Sequence, residues 1–302
     1  MPKELGKVLG KGKVMTRSFL PITTIAIFIL FLWYCLSIVL NSSWAYDRAA
    51  RNSQTLTFKE LVHDTWSQKK PKLPAPHQVF SEMWETTFNK KVTSKRSLVY
   101  HTWITLSGTI AGFLFGTILG IVLALAIVHD RATDLSIMPW IITSQAIPIL
   151  ALAPMIIVVL GSMGFTGLLP KAVISMYLSF FPIVVGMVKG LRSPEILEID
   201  QMKTWSATKT QILWYLRIPR SIPYLFTSLK LGIAASLVGA IVGELPSGAI
   251  SGLGARMLAG SYYGQTIKIW SALFAAAILA ATLVTLIGLI QKIISKRMML
   301  QV

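Results

Sequence analysis

The sequence predicts an all-α polytopic membrane protein, and two features of its composition support this. Of the 302 residues, 54% are hydrophobic and only 14% are charged, against roughly 25% charged in an average soluble chain. The charges almost completely avoid six stretches, each close to the ~20 residues that a helix needs to cross a bilayer. This apolar content excludes a disordered chain. The one cysteine, Cys35, cannot form an intrachain disulfide.

The six apolar stretches are each predicted to be a transmembrane helix. The first is 22 residues long, whereas the apolar core of a cleaved signal peptide spans only about 7–15 residues. We therefore treat it as a span. The predicted transmembrane helices cover residues 19–40, 102–128, 135–160, 172–188, 222–243 and 269–291.

The positions of Lys and Arg predict the orientation of the chain. They concentrate in the tail 1–18, in the loop 189–221 and in the tail 292–302, and are sparse in the short loops 161–170 and 244–268. Short loops rich in Lys and Arg stay on the cytoplasmic side. Both termini are therefore predicted to be cytoplasmic. The net charge of +17 then gives no reason to expect a nucleic-acid partner.

Residues 41–101 form a long loop that this orientation places in the periplasm. The loop carries ten Lys and Arg against five acids, contrary to the usual charge rule, which weakens for long loops. It is either a solvated basic loop or a docking surface for an acidic partner or anionic solute. Helical spacing near residues 76–89 predicts an amphipathic helix at the outer interface, with its apolar face formed by Val79, Phe80, Met83, Trp84 and Phe88.

Prolines and a small polar patch interrupt the middle spans. Pro148 and Pro154 lie in the third predicted span and Pro182 in the fourth, while Ser144 and Gln145 precede the first of them. Proline removes a backbone donor and bends a helix. Interrupted helices often line a path through a membrane protein, although a bend that serves only packing is an equal alternative.

Two charged residues near the fifth span are candidate path or gate residues. Lys230 either extends to the cytoplasmic surface, which we favour, or binds solute. Glu244 follows the span and precedes a glycine-rich segment. It either anchors a bend or gate by accepting hydrogen bonds or is simply solvated.

The loop 189–221 contains a short amphipathic helix. Ser193, Pro194 and Glu195 predict its start, as an N-cap, a proline at the first position and an acid on the helix dipole. An apolar stripe follows, made of Ile196, Ile199, Met202 and Trp205. The helix is too short and too polar to span, so its stripe must pack against its own bundle, the lipid surface or a partner groove.

This loop resembles the coupling loop of binding-protein-dependent ABC importer permeases. The family pattern is Glu-Ala-Ala, then Gly, then Ile and Leu-Pro. Asp200, Gln201 and Met202 stand on the triplet, Ser206 stands on the Gly, and Ile212 and Ile218-Pro219 follow. The spacing of 13 residues from Ser206 to Pro219 fits, but Asp, Gln-Met and Ser depart from the pattern.

The resemblance covers residues 74–291 and is closest to the nitrate, sulfonate and taurine branch. Further matching segments are Leu73-Pro74-Ala75-Pro76, Pro148 to Pro154, Phe181-Pro182-Ile183, Glu244 and Gly252-Leu253-Gly254. The resemblance implies a type I ABC importer permease with six transmembrane helices and a cytoplasmic coupling helix, located in the bacterial inner membrane.

The resemblance also implies partners. Two permease chains, as a homodimer or a pseudo-dimer with a related permease, would form the path across the lipid bilayer. Two cytoplasmic ATPase subunits would receive the coupling segment, and a periplasmic binding protein would deliver a small solute. The implied ATPase-coupling residues are Glu198, Ile199, Asp200, Met202, Lys203, Trp205, Ser206 and Pro219.

The sequence lacks the motifs of an enzyme. It contains no HExxH, no GxSxG, no GxxxxGK[ST] and no histidine spacing typical of a metal site. We therefore expect no catalytic residue, metal or cofactor on this chain, with ATP and Mg bound to the partner ATPase.

Two other functions and a choice of solutes remain open. The alternatives are an ion-coupled secondary transporter, which would need intramembrane acids or inverted repeats, and a membrane anchor or receptor with a functional outer loop. The solute is either a sulfonate, nitrate or taurine-like anion or a pyrimidine, thiamine-precursor or flavin-like heterocycle. The apolar residues of the predicted path mildly favour an uncharged or aromatic solute.

Overall fold

The chain folds into helices joined by short connections. A computed structural model describes residues 3–53, 56–246 and 251–297, with side chains from residue 21 onward. No strand occurs in these ranges. The helices are α1 (Lys3–Arg51), α2 (Phe58–Ser67), α3 (Pro76–Phe88), α4 (Leu98–His129), α5 (Arg131–Ser144), α6 (Ile149–Ser162), α7 (Leu168–Leu191), α8 (Ile196–Thr204), α9 (Lys209–Ile212), a π-helical turn (Leu213–Arg217), α10 (Ile218–Glu244), α11 (Leu253–Tyr262) and α12 (Thr266–Arg297).

The predicted fold class is confirmed by the lengths and compositions of these helices. Among the described residues, five helical stretches are long and apolar enough to cross a membrane: Pro21–Arg51, Leu98–His129, Leu168–Leu191, Lys209–Glu244 and Thr266–Arg297. Helices α5 and α6 make a sixth candidate if they are counted together.

The third predicted span, residues 135–160, is not one continuous helix. Helices α5 and α6 are bent by 99°. The break falls at Pro148, which adopts an extended conformation with φ −62° and ψ 119° immediately before α6. Pro154 lies inside α6 without ending it. One of the two prolines therefore breaks the span, and the other is tolerated within a helix.

Helices α1 and α12 extend beyond the first and sixth predicted spans into the segments predicted to be tails. Residues 3–18 of the predicted N-terminal tail belong to α1, and α12 continues to Arg297. The side chains of Lys3, Lys7, Lys11, Lys13 and Arg17 lie outside the described part of the chain, as do residues 298–302 of the predicted C-terminal tail and residues 247–250 of the glycine-rich segment.

The chain divides into two units, which we describe separately. The first comprises residues 1–85 and 260–271, and the second comprises residues 86–259 and 272–302.

In the first unit, the buried Asn41 holds an extended segment against α1. Its side-chain amide donates to the carbonyl of Leu73 at 2.8 Å, and its Oδ1 accepts from the backbone N–H of Lys72 at 2.8 Å. Trp33 Nε1 donates to the carbonyl of Pro74 at 2.9 Å. These bonds satisfy backbone groups that regular structure would otherwise pair. The predicted periplasmic loop is therefore an ordered element around α2 and the start of α3.

The apolar residues of α3 do not all share one environment. Val79 is 3% exposed, whereas Phe80, Trp84 and Phe88 are 66%, 53% and 66% exposed. The predicted helix is present, but its apolar residues divide between a buried side and an exposed aromatic side.

In the second unit, α4, α7 and α10 pack together. Glycines at four-residue spacing on α4 allow close approach, as small residues do between membrane helices. A Cβ at Gly112 would lie 2.7 Å from the carbonyl oxygen of Ala172 on α7, and one at Gly120 would lie 2.8 Å from Ile183. The backbones of α4 and α7 could not lie this close if larger residues stood at these positions.

Candidate functional site

Helix α8, the predicted coupling helix, begins two residues later than the sequence predicts. We call residues 195–207 the coupling segment after this predicted role. Glu195, rather than Ser193, is its N-cap, and the helix starts at Ile196. The backbone N–H of Glu195 donates to Glu198 Oε2 at 3.1 Å. Glu198 therefore satisfies a backbone group at the start of the helix and places negative charge on the positive end of its dipole.

Helix α8 ends in a Schellman motif around Ser206. The N–H of Ala207 donates to the carbonyl of Met202 at 3.0 Å, and the N–H of Ser206 donates to Lys203 at 2.8 Å. Ser206 has φ +56°, in the left-handed region where glycine is favoured. In the family pattern this position is glycine. The backbone of Ser206 therefore adopts the left-handed conformation that glycine favours, although the residue is a serine.

The apolar stripe of this segment is only partly covered. Ile196 is 78% exposed and Trp205 is 69% exposed, while Ile199 and Met202 are half-buried. Leu197, outside the predicted stripe, is also 77% exposed. The coupling segment thus presents large apolar side chains that this chain does not bury.

One ion pair joins α8 to α10, and a second lies within α8. The guanidinium of Arg220 on α10 pairs with Glu198 and lowers the pKa of that carboxyl below its ordinary value. Lys203 pairs with Asp200 at 2.8 Å. Pro219 is half-buried near the start of α10, where its missing N–H costs little. Five of the eight predicted coupling residues lie on α8, Trp205 and Ser206 follow it directly, and Pro219 lies on α10.

Pro182 lines a cavity of about 540 Å³ between α7 and α10. Apolar and aromatic groups dominate its wall, and Lys189 is its one ionisable cation. Helix α7 contributes Phe181, Pro182, Val185, Gly186 and Lys189, and α10 contributes Pro223, Tyr224, Thr227, Ser228 and Leu231.

The other predicted path residues lie elsewhere. Ser144, Gln145 and Pro148 lie at the bend between α5 and α6, where the hydroxyl of Tyr177 donates to the carbonyl of Ser144. Pro154 is exposed on α6. These four residues do not line the cavity between α7 and α10.

Lys230 is half-buried on α10, and its Cε and Nζ lie beside Gly288 of α12. The side chain is absent from the wall of the cavity, although its neighbour Leu231 is part of it. The structure therefore separates Lys230 from the cavity that contains Pro182.

Glu244 is fully buried, which excludes the solvated alternative. Each of its carboxylate oxygens lies 3.0 Å from Thr105 Oγ1, so the two oxygens share the one proton that this hydroxyl donates, and Oε2 also accepts from the backbone N–H of Gly254 at 2.8 Å. Lys171, 7% exposed, lies 3.4 Å from Oε1. A charge in such a place must be paired and hydrogen-bonded, and Glu244 meets both conditions.

Three consecutive backbone N–H groups complete this arrangement. Gly252 donates to His101 Nδ1 at 2.9 Å, Leu253 to Thr105 Oγ1 at 2.9 Å, and Gly254 to Glu244. Lys171 Nζ donates to the carbonyl of Ser251 at 3.3 Å. We call the side chains of His101, Thr105, Lys171 and Glu244, with the backbone of residues 251–254, the polar clasp.

The geometry of the clasp depends on Gly252. Its φ is +125°, and a Cβ there would collide with the carboxylate of Glu244. The Gly-Leu-Gly of the family resemblance therefore has a structural reason here, because only glycine allows the loop to approach the buried acid.

Sequence reasoning missed Lys171, His101 and Thr105. Lys171 stands between the short loop 161–170 and the fourth predicted span, which begins at residue 172. The spacing of His101 and Thr105, four residues apart, is a signal that both face one side of α4. Their common partner, residues 251–254, is about 150 positions away in sequence and gives no local signal.

These features define a class of protein: a helical membrane protein with a cavity between its central helices and a short helix whose apolar side chains are exposed. Residues 116–300 match the family described as binding-protein-dependent transport system inner membrane component. The chain belongs to this family, and the predicted ABC importer permease is confirmed. Family membership makes the protein an inner membrane component and implies an ATPase and a binding protein as partners in general.

Individual relatives agree with this assignment. The chain is 32% identical over 222 residues to a riboflavin transport system permease protein of Chloroflexus aurantiacus, covering 74% of this chain and 79% of the relative. It is 30% identical over 183 residues to a formylaminopyrimidine transport permease protein of Halalkalibacterium halodurans, covering 60% and 68%. A taurine transport system permease protein of Escherichia coli is 25% identical over 171 residues, covering 56% and 58%.

A solved structure shows the same fold. An inward-facing methionine ABC transporter matches with a TM-score of 0.54 at 18% identity, over 67% of this chain and 95% of the matched chain.

Proposed function

We propose that this chain is the translocation subunit of an ATP-driven importer for a small aromatic heterocycle. Two permease chains form the path, two cytoplasmic ATPase subunits bind ATP and Mg, and a periplasmic binding protein delivers the solute. Both termini are cytoplasmic in this arrangement. The chain itself conducts solute and catalyses no reaction.

The exposed apolar side chains of α8 carry the proposed coupling role. Ile196 and Trp205 are more than two-thirds exposed on a segment too short and polar to enter lipid. A hydrophobic groove on an ATPase would remove this apolar surface from water, which is the usual way an amphipathic helix binds a partner. The capping of α8 and the Glu198–Arg220 pair fix the shape of the segment before the partner arrives.

The wall of the cavity between α7 and α10 supports the proposed class of solute. Phe181 and Tyr224 offer aromatic surface, and Thr227 and Ser228 offer hydroxyl groups. Planar rings pack well on aromatic side chains, and hydroxyls can bond the polar edge of a heterocycle. A single lysine in a mostly apolar wall makes a poor anion site, because one cation compensates little of the hydration that a sulfonate would lose.

The relatives point the same way. The riboflavin and formylaminopyrimidine permease proteins are 32% and 30% identical to this chain, and both are named for heterocycles. The taurine permease protein is 25% identical over a smaller share of the chain.

Reconstitution with its partners tests this proposal. The chain, its ATPase and its binding protein are placed in vesicles, and ATP-dependent uptake is measured for riboflavin, a formylaminopyrimidine and taurine. The ligand that co-purifies with the binding protein is identified by mass spectrometry. Uptake of a heterocycle is expected. Uptake of taurine alone would overturn the solute class and leave the permease role, whereas ATP-independent uptake would overturn the permease role.

A variant of the cavity sharpens the test. Tyr224→Ala removes an aromatic group from the wall and should reduce heterocycle uptake. Tyr262→Ala, at a residue 79% exposed and outside the cavity, is the matched control and should leave uptake unchanged.

A further inference from the structure

A basic segment leads into α4, on the side of the membrane that is predicted to be periplasmic and that usually carries few Lys and Arg. Residues 89–97 contain Lys90, Lys91, Lys95 and Arg96, and no acid occurs between residues 86 and 103. The segment ends at Ser97, the N-cap of α4, so the positive end of that helix dipole adds to the same field.

The backbone of this segment is fixed while its cationic side chains face outward. Arg256 Nη1 donates to the carbonyl of Arg96 at 3.1 Å, and His101 Nε2 bonds the carbonyl of Lys95 at 3.0 Å. The side chains of Lys91, Lys95 and Arg96 are exposed. A fixed backbone holds these charges at one place instead of letting them disperse in solvent.

Exposed apolar side chains precede, interrupt and follow these charges along the chain. Phe88, Val92 and Trp103 are 66%, 60% and 69% exposed. Trp103 lies in the second turn of α4, a helix long and apolar enough to span a membrane. Tryptophan near the end of a span is typical of the membrane interface, where its ring lies at the level of the headgroups.

We propose that residues 88–97 and Trp103 form a binding surface for anionic phospholipid headgroups. The cations would pair with lipid phosphates, and Phe88, Val92 and Trp103 would insert among the upper acyl chains. An acidic protein surface would match the charges but not the exposed apolar side chains between them. This surface would also account for a basic loop that the usual charge rule does not expect. The proposal depends on α4 crossing the membrane and not on the identity of the transported solute.

Lipid retention by charge variants tests the proposal. The full chain is reconstituted in nanodiscs containing phosphatidylcholine and phosphatidylglycerol, and retained lipid is measured by native mass spectrometry. The triple variant K91Q/K95Q/R96Q should lose phosphatidylglycerol affinity by about tenfold to a hundredfold, since each cation near an anionic surface contributes about fivefold. The control R51Q/K59Q/K69Q removes the same charge from other exposed positions and should retain the lipid.

A spin label reports which occupant covers the surface. In a C35S background, V92C is labelled with a nitroxide, and its contact with oxygen in lipid is compared with its contact with a water-soluble nickel chelate. Immersion in lipid in phosphatidylglycerol nanodiscs is expected. Equal lipid retention by the two triple variants would overturn the proposal. A label that is exposed to water, or that is covered only when the binding protein is added, would also overturn it. So would free glycerol phosphate that binds as strongly as the lipid.

Discussion

The polar clasp and the coupling segment each depend on a short piece of chain within the second unit, yet they are built in opposite ways. In the clasp, the carboxylate of Glu244 is fully buried, and its charge and hydrogen-bonding capacity are met by Lys171, Thr105 and Gly254. In the coupling segment, Trp205 remains 69% exposed.

The groups of the polar clasp find their partners within this chain, whereas the apolar side chains of the coupling segment do not. In the clasp, Lys171 already pairs with Glu244, so this carboxylate needs no cation from another protein. The coupling segment has its backbone satisfied by a cap and a Schellman motif, while its apolar side chains are left uncovered. A surface with a fixed backbone and uncovered apolar side chains is typical of a docking site.

Substitutions in the coupling segment should have a larger effect on transport than any other change described below. Trp205→Glu, and likewise Met202→Glu, places a charge on the surface proposed to enter the ATPase groove and should abolish co-purification of the ATPase and transport. Tyr262→Glu, at another highly exposed aromatic residue, should change neither. Unchanged thermal unfolding of Trp205→Glu would show that folding is intact. Persistent co-purification would contradict the assignment of the coupling surface.

Breaking the ion pair of the clasp should destabilise the protein strongly. K171M or E244Q alone leaves the other member of the pair without its partner and should cost about 3–5 kcal/mol of unfolding free energy. The double variant K171M/E244Q should recover part of this loss. Chemical unfolding in detergent micelles measures all three variants.

An exposed ion pair provides the control for the clasp. Arg192 and Asp134 are closer, at 2.8 Å, but their side chains are 45% and 26% exposed. R192Q should cost less than about 1 kcal/mol, because water screens the charges and solvates the remaining one. Equal losses for R192Q and K171M would contradict the importance of burial.

Replacing Gly252 tests the close approach of the loop to Glu244. G252A adds a Cβ at φ +125° against the buried carboxylate and should cost at least about 1–3 kcal/mol from backbone strain. G161A is the matched control, since nothing lies within 4 Å of its Cβ on α6. It should be neutral or stabilising by up to about 1 kcal/mol.

The smallest expected effect concerns the end of α8. S206G relieves a left-handed conformation that costs a non-glycine residue about 1–2 kcal/mol, partly offset by the greater freedom of glycine in the unfolded chain. Hydrogen exchange at the Ala207 amide should slow by a few-fold. S206A keeps the Cβ and should bring no such slowing. Faster exchange in S206G would contradict the strain at this residue.

Local sequence patterns were sufficient to predict most of the fold and the coupling segment. The apolar stretches and the stripe from Ile196 to Trp205 are patterns within short windows of sequence, so they can be recognised without knowing the fold. The bend at Pro148 was harder to predict, because Pro154 has the same local chemistry and stays within a helix. Likewise, the start of α8 was predicted two residues too early, because Ser193 is also a favourable N-cap residue and local sequence does not show that Glu195 caps the helix instead.

Hydrophobic length and periodicity are properties of consecutive residues, so they were enough to predict a helical membrane protein with a short amphipathic helix in the loop 189–221. The resemblance of several motifs then indicated the permease family. Only the tertiary structure decided that Lys171 pairs with Glu244 and that residues 251–254 close over His101 and Thr105. These groups come from distant parts of the chain. The need to satisfy a buried charge acts only once α4, α7 and α10 have packed together.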